Sequence, residues 1–283
     1  MQKIEFTKMH GIGNDYIYIN CFKQQIDDPG RLAKIMSPRR TSVGADGVIL
    51  ICPSDKADAK MRMFNLDGSE GKMCGNGIRC VGKYIYDSGI ARKETLRVET
   101  LSGIKTLKVT ERNGKAASLT VDMGEPVFAP KEIPVLFDGD RMINEPVIIA
   151  GKEYRITAVS MGNPHAVVFC GGVKDLELEK IGPAFEFSPI FPEQVNTEFI
   201  RVIDGSNLEM RVWERGSGET FACGTGACAA AVAAVLNGFC KKGDEITVHL
   251  KGGDLYITYA GNSHVYMRGA AEKVYDGVYE YEP

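Results

Sequence analysis

One internal shift constrains this chain more than any other feature. The segment from Arg62-Met63-Phe64-Asn65 to Cys74-Gly75-Asn76-Gly77 is echoed by Arg211-Val212-Trp213-Glu214 to Cys223-Gly224-Thr225-Gly226, with the two cysteines 149 positions apart. The same shift, without a gap, places Glu70 on Glu219, Gly13-Asn14 on Gly162-Asn163, and Leu101 and Gly103 on Leu250 and Gly252. Three separated segments obeying one shift indicate two homologous halves.

Each half reads alike. Stretches rich in β-branched and aromatic residues predict strands at 16–19, 48–51, 96–100 and 118–122, and again at 165–169, 199–203, 208–213 and 245–250. One clear helix is expected per half, just after the cysteine, over 78–86 and 226–236. The second is almost entirely Ala and Val and stops at Asn237-Gly238, so it must be buried on every face. The expectation is an α+β fold of two homologous domains, each with strands wrapped around one central helix. Residues 1–123 form the first half and 124–268 the second, with Pro126, Pro130 and Pro134 in the crossover. The tail 269–283 alternates Tyr and Val with polar residues and is expected to return to the first half.

Composition narrows the function classes. A net charge of −3, with 44% apolar and 25% charged residues, describes an ordinary globular chain and points away from nucleic acid and membrane surfaces. The N-terminal residues lack the apolar core of a secretory signal, and the apolar run 221–236 is short and broken by glycine, so a cytoplasmic setting is expected. Thiols stay reduced there. Of the eight cysteines, Cys21, Cys52, Cys80, Cys170, Cys228 and Cys240 read as small buried hydrophobes. Cys74 and Cys223 do not, because both hold the same place in the repeat beside glycines.

A cysteine at a helix entrance, followed by Gly-X-Gly, sits among unpaired N–H groups that can hold a carboxylate. The same field is expected to lower the thiol below its free value of about 8.5. Two such entrances would provide two thiols and two sets of donors. Thiols on opposite faces of one carbon suit racemisation or epimerisation, where one removes the α-proton and the other returns a proton from the far side. Donors on the carboxylate would stabilise the carbanion as charge develops.

The motifs HGIGNDY from His10, FNLDGSEGKMCGNGIRC from Phe64, SMGNPHAVVF from Ser160, VNTEFI from Val195 and ERGSGETFACGTGACA from Glu214 together resemble the diaminopimelate epimerase family over nearly the whole chain. The resemblance implies interconversion of LL- and meso-diaminopimelate without a cofactor or metal, on the way to lysine and peptidoglycan. It implies a β-barrel around the central helix of each domain, an active site in the cleft between them, and a possible homodimer. Position by position, Cys74 and Cys223 match the catalytic thiols. Gly75, Asn76, Gly224 and Thr225 match the helix-start residues at the reacting carboxylate. Asn14, Asn65, Asn163, Asn196 and Arg215 match side chains around the substrate's amino and carboxylate groups. Glu214 matches a residue at the substrate and, with His165, one that helps set thiol protonation. Gly47 departs from the pattern, since some members carry Gln there.

Two other readings stay open on the residues alone. A proline-racemase-like enzyme would use the same two thiols on a one-ended substrate, although the Asn and Arg set for a distal end argues against it. A thiol-redox or metal-binding module is the alternative outside enzymes of this kind. The six- and five-residue gaps from Cys74 to Cys80 and from Cys223 to Cys228 do not match the short Cys-x2–4-Cys spacing of zinc sites.

Overall fold

The computed structural model describes residues 2–281. Residues 1, 282 and 283, expected to belong to the first half, lie outside the described residues. The chain forms two compact units, one running up to Val121 and resuming at Arg268, the other spanning Asp122–Met267.

Within the first unit the order is Gln2–Gly11, Asn14–Asn20, helix α1 (Pro29–Met36), Gly47–Cys52, Ala59–Asn65, Glu70–Gly71, helix α2 (Gly75–Asp87), Thr95–Thr100, Gly103–Arg112 and Lys115–Asp122. After Glu145–Ile149, the second unit repeats that order: Lys152–Ser160, Pro164–Phe169, helix α3 (Leu178–Glu186), Asn196–Asp204, Asn207–Glu214, Gly218–Glu219, helix α4 (Gly224–Leu236), Glu245–Leu250, Gly253–Tyr259 and Val265–Gly269. Helices α2 and α4 coincide end to end under the 149-residue shift. The register also follows it: Ile17 pairs with Val48 in parallel, and Ala166 pairs with Thr197.

Pairing runs in the same sense in each unit. Gln2–Gly11 lies antiparallel to Asn14–Asn20, which is parallel to Gly47–Cys52, which is antiparallel to Ala59–Asn65. Ala59–Asn65 then pairs in parallel with Thr95–Thr100. A parallel pair needs a long crossover, and α2 is that crossover. In the second unit α4 likewise connects Asn207–Glu214 to its parallel partner Glu245–Leu250. The opening strand of each series gains one more antiparallel partner, in the second unit from the segment just before it and in the first from the far end of the chain. Glu145–Ile149 flanks Lys152–Ser160, whereas the C-terminal strand Glu272–Tyr281 flanks Gln2–Gly11.

Each crossover helix is the core of its own unit. Helix α2 touches Gln2–Gly11, Asn14–Asn20, Ala59–Asn65, Thr95–Thr100 and Gly103–Arg112. Helix α4 touches strands from Lys152–Ser160 through Gly253–Tyr259, and its residues from Ala227 to Ala234 are all buried. Small side chains let the strands approach on all sides, as its composition predicts. Among the described residues no helix is long and apolar enough to cross a membrane.

The structure differs from the sequence reading in two places. The two central helices begin earlier than the expected 78 and 226, because the Gly-X-Gly triplets form the first helical turn, so α2 starts at Gly75 and α4 at Gly224. Two shorter helices, α1 and α3, are additional. Helix α1 is set by Pro29 in its first turn and by Asp28, whose side chain accepts from Arg31 N at 2.9 Å. Helix α3 carries Pro183 inside it, has no side-chain cap and is held by burial of Leu178 and Phe185.

Candidate active site

Cys74 and Cys223 are the N-cap residues of α2 and α4. Each sulfur accepts from a first-turn amide, Gly77 N or Gly226 N, at 3.3 Å. One helix-start donor per unit is thus directed at the thiol itself.

In the first unit the Cys74 thiol donates to Asn14 Oδ1 at 3.2 Å. Asn14 is fixed in that orientation because its amide donates to Asp46 Oδ2 at 2.7 Å. Asp46 also accepts from Asp15 N at 3.0 Å, and Arg39 bridges Asp15 and Asp46 at 2.6 Å each. Tyr16 lies beside Cys74 and Asn14, and its hydroxyl is held well above the ordinary phenol range by burial first and by Cys74 second. Gly75 and Asn76 are buried at the head of α2, where Asn76 Oδ1 accepts from the buried Arg79 at 2.9 Å. Asn65 ends its strand and donates to Ser69 Oγ across the following turn at 3.0 Å.

The second unit surrounds its thiol with different chemistry. Asn163 donates to Thr225 Oγ1 at 3.3 Å, and Thr225 Oγ1 lies 3.6 Å from Cys223 Sγ. Asn163 Oδ1 sits 3.0 Å from His165 Nε2, and His165 Nδ1 lies 2.7 Å from Glu198 Oε1. Repeat-related Asn14 and Asn163 therefore turn opposite groups toward their partners. The acceptor Asp46 has Val195 as its counterpart, so nothing in the second unit claims the Asn163 amide as Asp46 claims that of Asn14.

Glu198 comes close to the start of α4. A Cβ placed on Gly226 would meet Glu198 Oε1 at 2.6 Å, so a side chain there would collide with the carboxylate. Glu214 accepts from the Thr220 hydroxyl and lies near Cys223. Burial raises the Glu214 carboxyl, partly offset by Thr220 and Cys223. Cys223 is pushed well above the usual thiol range, by burial first and then by Glu214 and Glu198. This corrects the expectation that the helix start lowers it. The amide of Gly226 and the hydroxyl of Thr225 pull the other way but are outweighed.

Asn196 and Arg215 are less direct. Asn196 donates to Pro164 O at 2.9 Å and accepts from Arg215 N at 3.0 Å, so both ends of its amide tie backbone together. The Arg215 side chain is exposed and donates to Glu193 O at 2.8 Å. Glu186 supports the same loop from beneath, accepting from Trp213 Nε1 at 2.7 Å and Gly216 N at 2.8 Å.

The sequence reading did not single out Tyr16, Asp46 or Glu198. The shift itself holds the missing signal, since Tyr16 and Ile49 are the counterparts of His165 and Glu198. At Gly47 a Cβ would meet Phe64 O at 2.1 Å and Tyr16 Cε1 at 3.0 Å, so the strand leaves no room for a Gln side chain. Among the described residues, no group of three or more His, Cys, Asp and Glu side chains is disposed to hold a metal ion.

The family model for diaminopimelate epimerase matches residues 6–129 and 157–274. The diaminopimelate epimerase of Acetivibrio thermocellus is 56% identical over 97% of this chain and 98% of its own. That of Desulfovibrio desulfuricans is 54% identical over 98% of each chain, and one from Bacillus cereus is 51% identical over 100% and 99%. Among solved structures, a Bacillus anthracis phenazine biosynthesis protein of the PhzF family is similar at a TM-score of 0.71 and 17% identity, over 99% of this chain and 100% of its own. A hydroxyproline epimerase from Agrobacterium vitis is similar at 0.69 and 15%, over 99% and 91%. These two likenesses concern the fold alone.

Proposed function

The chain belongs to the diaminopimelate epimerase family and is an amino-acid epimerase, and from that premise we propose that it interconverts LL- and meso-diaminopimelate through Cys74 and Cys223. Each half furnishes one thiol to the substrate α-carbon. One takes the α-proton and the other delivers a proton to the opposite face. Each thiol is the base for one stereoisomer and the acid for the other.

The observation that carries this reading is the repeated N-cap cysteine. Two thiols, alike in backbone setting, each accept a first-turn amide at 3.3 Å, and each has a repeat-related asparagine nearby. Gly75, Asn76, Gly224 and Thr225 hold the reacting carboxylate at the helix starts. Asn14, Asn65, Asn163, Asn196, Glu214 and Arg215 orient the amino and distal groups, and a guanidinium suits the distal carboxylate. His165 assists, positioned by Glu198.

In this reading each half closes as a β-barrel around its helix, the reaction takes place in a site shared by the halves, and the enzyme works in the cytoplasm without a cofactor. A homodimer is part of the proposal. The exposed Val274, Tyr275 and Val278 on the C-terminal strand suit a second copy. The direct test is incubation with LL-diaminopimelate in D2O. Deuterium should enter at the α-carbon as the meso isomer forms, and formation of meso product without label would overturn the proton-exchange mechanism.

A further inference from the structure

Two cysteines outside the proposed site stand side by side. Asn20 pairs with Ile51 in the parallel strands, and Cys21 N continues that ladder by donating to Ile51 O at 2.8 Å. In a parallel ladder that bond puts Cys21 directly opposite Cys52. Neighbouring strands lie about 4.8 Å apart, inside the roughly 4.4–6.8 Å Cα separation that a disulfide spans. Cys52 is the last residue of its strand and Cys21 lies just beyond the end of the other, so the backbone has freedom to adjust. Both side chains are half-buried, and the two thiols are near enough to perturb each other's ionisation.

The surroundings distinguish the two sulfurs. The neighbouring Cys21 thiol lowers Cys52; burial opposes this, while Arg62 and Lys60 add to it. Arg62 is itself held by Glu70 at 2.8 Å, and Lys60 is the register partner of Cys52 on its other side. Cys21 is raised, chiefly by the neighbouring Cys52 thiol and by burial. The second unit lacks the pair. Cys170 repeats Cys21, down to its 2.8 Å bond to Ile200 O, but opposite it stands Arg201, ion-paired with Glu209 at 2.6 Å.

We propose that Cys21 and Cys52 form a dithiol modification site that a low-molecular-weight disulfide converts reversibly to an intramolecular disulfide. Cys52, as thiolate, attacks one sulfur of the incoming disulfide and expels the other as a thiolate, leaving a mixed disulfide on Cys52. Cys21 loses its proton and attacks the Cys52 sulfur, expelling the second small thiolate. The small disulfide is reduced to two thiols, which take up the protons given up by the two cysteines.

The experiment treats the full-length enzyme with graded oxidised glutathione, blocks remaining thiols by alkylation and maps peptides by mass spectrometry. A Cys21–Cys52 linked peptide should form at lower oxidant than any other link or adduct and disappear on reduction. In Cys21→Ser the resolving thiol is absent, so a glutathione adduct should accumulate on Cys52 instead. Cys52→Ser should yield neither the link nor, at the same oxidant concentration, an adduct on Cys21. Modification of other cysteines while this pair stays reduced would overturn the proposal, as would a Cys21→Ser adduct on any residue but Cys52.

Discussion

His165 and Glu198 meet at 2.7 Å with both side chains fully buried, and their counterparts in the other half are Tyr16 and Ile49. The pair gives the two thiols unequal surroundings. Asn163 Oδ1 can only accept, so His165 Nε2 must donate to it, and the short Nδ1–Oε1 contact must then hold a second proton. The pair is therefore neutral overall, either imidazolium with carboxylate or imidazole with carboxylic acid. Neutrality makes its complete burial tolerable, with Glu198 Oε2 lacking any partner among the described residues.

Glu198→Gln tests this pair. The Gln amide can donate to Nδ1 and hold His165 as a neutral imidazole that still donates to Asn163, but it removes the proton that the carboxyl shares with the ring. We expect kcat to fall by roughly 10²-fold, the lower end of a general acid–base contribution, with a changed pH profile and little change in KM. Steady-state kinetics across pH checks it. An unaltered profile would reduce Glu198 to a packing role.

Gly47→Gln tests the space at the other thiol's strand. The new Cβ must displace the Phe64 carbonyl or its own strand, so a loss of about 1–3 kcal/mol is expected. Denaturant unfolding should show a lower midpoint with an unchanged slope. Unchanged stability would mean that the strand yields freely at this position.

How much could be read beforehand depended on how local each signal was. Cys74 and Cys223 were legible because a helix cap, its glycines and the repeat all lie within a few residues. Glu198 was not, since a Glu between Thr197 and Phe199 reads as an ordinary strand residue. Its burial comes from pairing with a strand some thirty positions earlier, where Val167 is its partner. Asn196 and Arg215 were legible as types, but sequence could not show that backbone groups already engage both. The direction of the Cys223 shift was misjudged for a similar reason. The helix start is a local effect, whereas Glu214 and Glu198 reach the sulfur only through the fold.

Glu214→Gln follows from that shift. Removing one neighbouring negative charge makes the Cys223 thiolate easier to form, so its ionisation should move to lower pH. The alkylation rate at Cys223, followed by peptide mass against pH, should begin to rise at lower pH than in the parent. The sign also bears on stability. A buried thiol raised above its unfolded value contributes stability below the unfolded thiol range, and that contribution is lost as pH rises through the alkaline region. The parent should therefore lose thermal stability on going alkaline more steeply than Glu214→Gln does. An alkylation profile moving to higher pH would contradict the charge assignment.

The single-cysteine variants test the central proposal. In a two-base reaction each thiol is base in one direction and acid in the other, so replacing either should abolish epimerisation both ways, by roughly 10²–10⁴-fold or more. Alanine also removes the helix cap, since each sulfur accepts a first-turn amide, at a cost of about 0.5–2 kcal/mol. Serine keeps the cap while its hydroxyl remains a far weaker acid than a thiol, so Cys74→Ser and Cys223→Ser separate chemistry from folding. With one thiol left, a proton can leave and return on one face only. Each serine variant in D2O should then exchange the α-hydrogen of one stereoisomer with its configuration retained, and the two variants should prefer opposite isomers. Proton NMR of the recovered substrate reads both exchange and configuration. Substantial epimerisation by either variant would show that its missing cysteine is not the partner acid, and the two-thiol reading would fall with it.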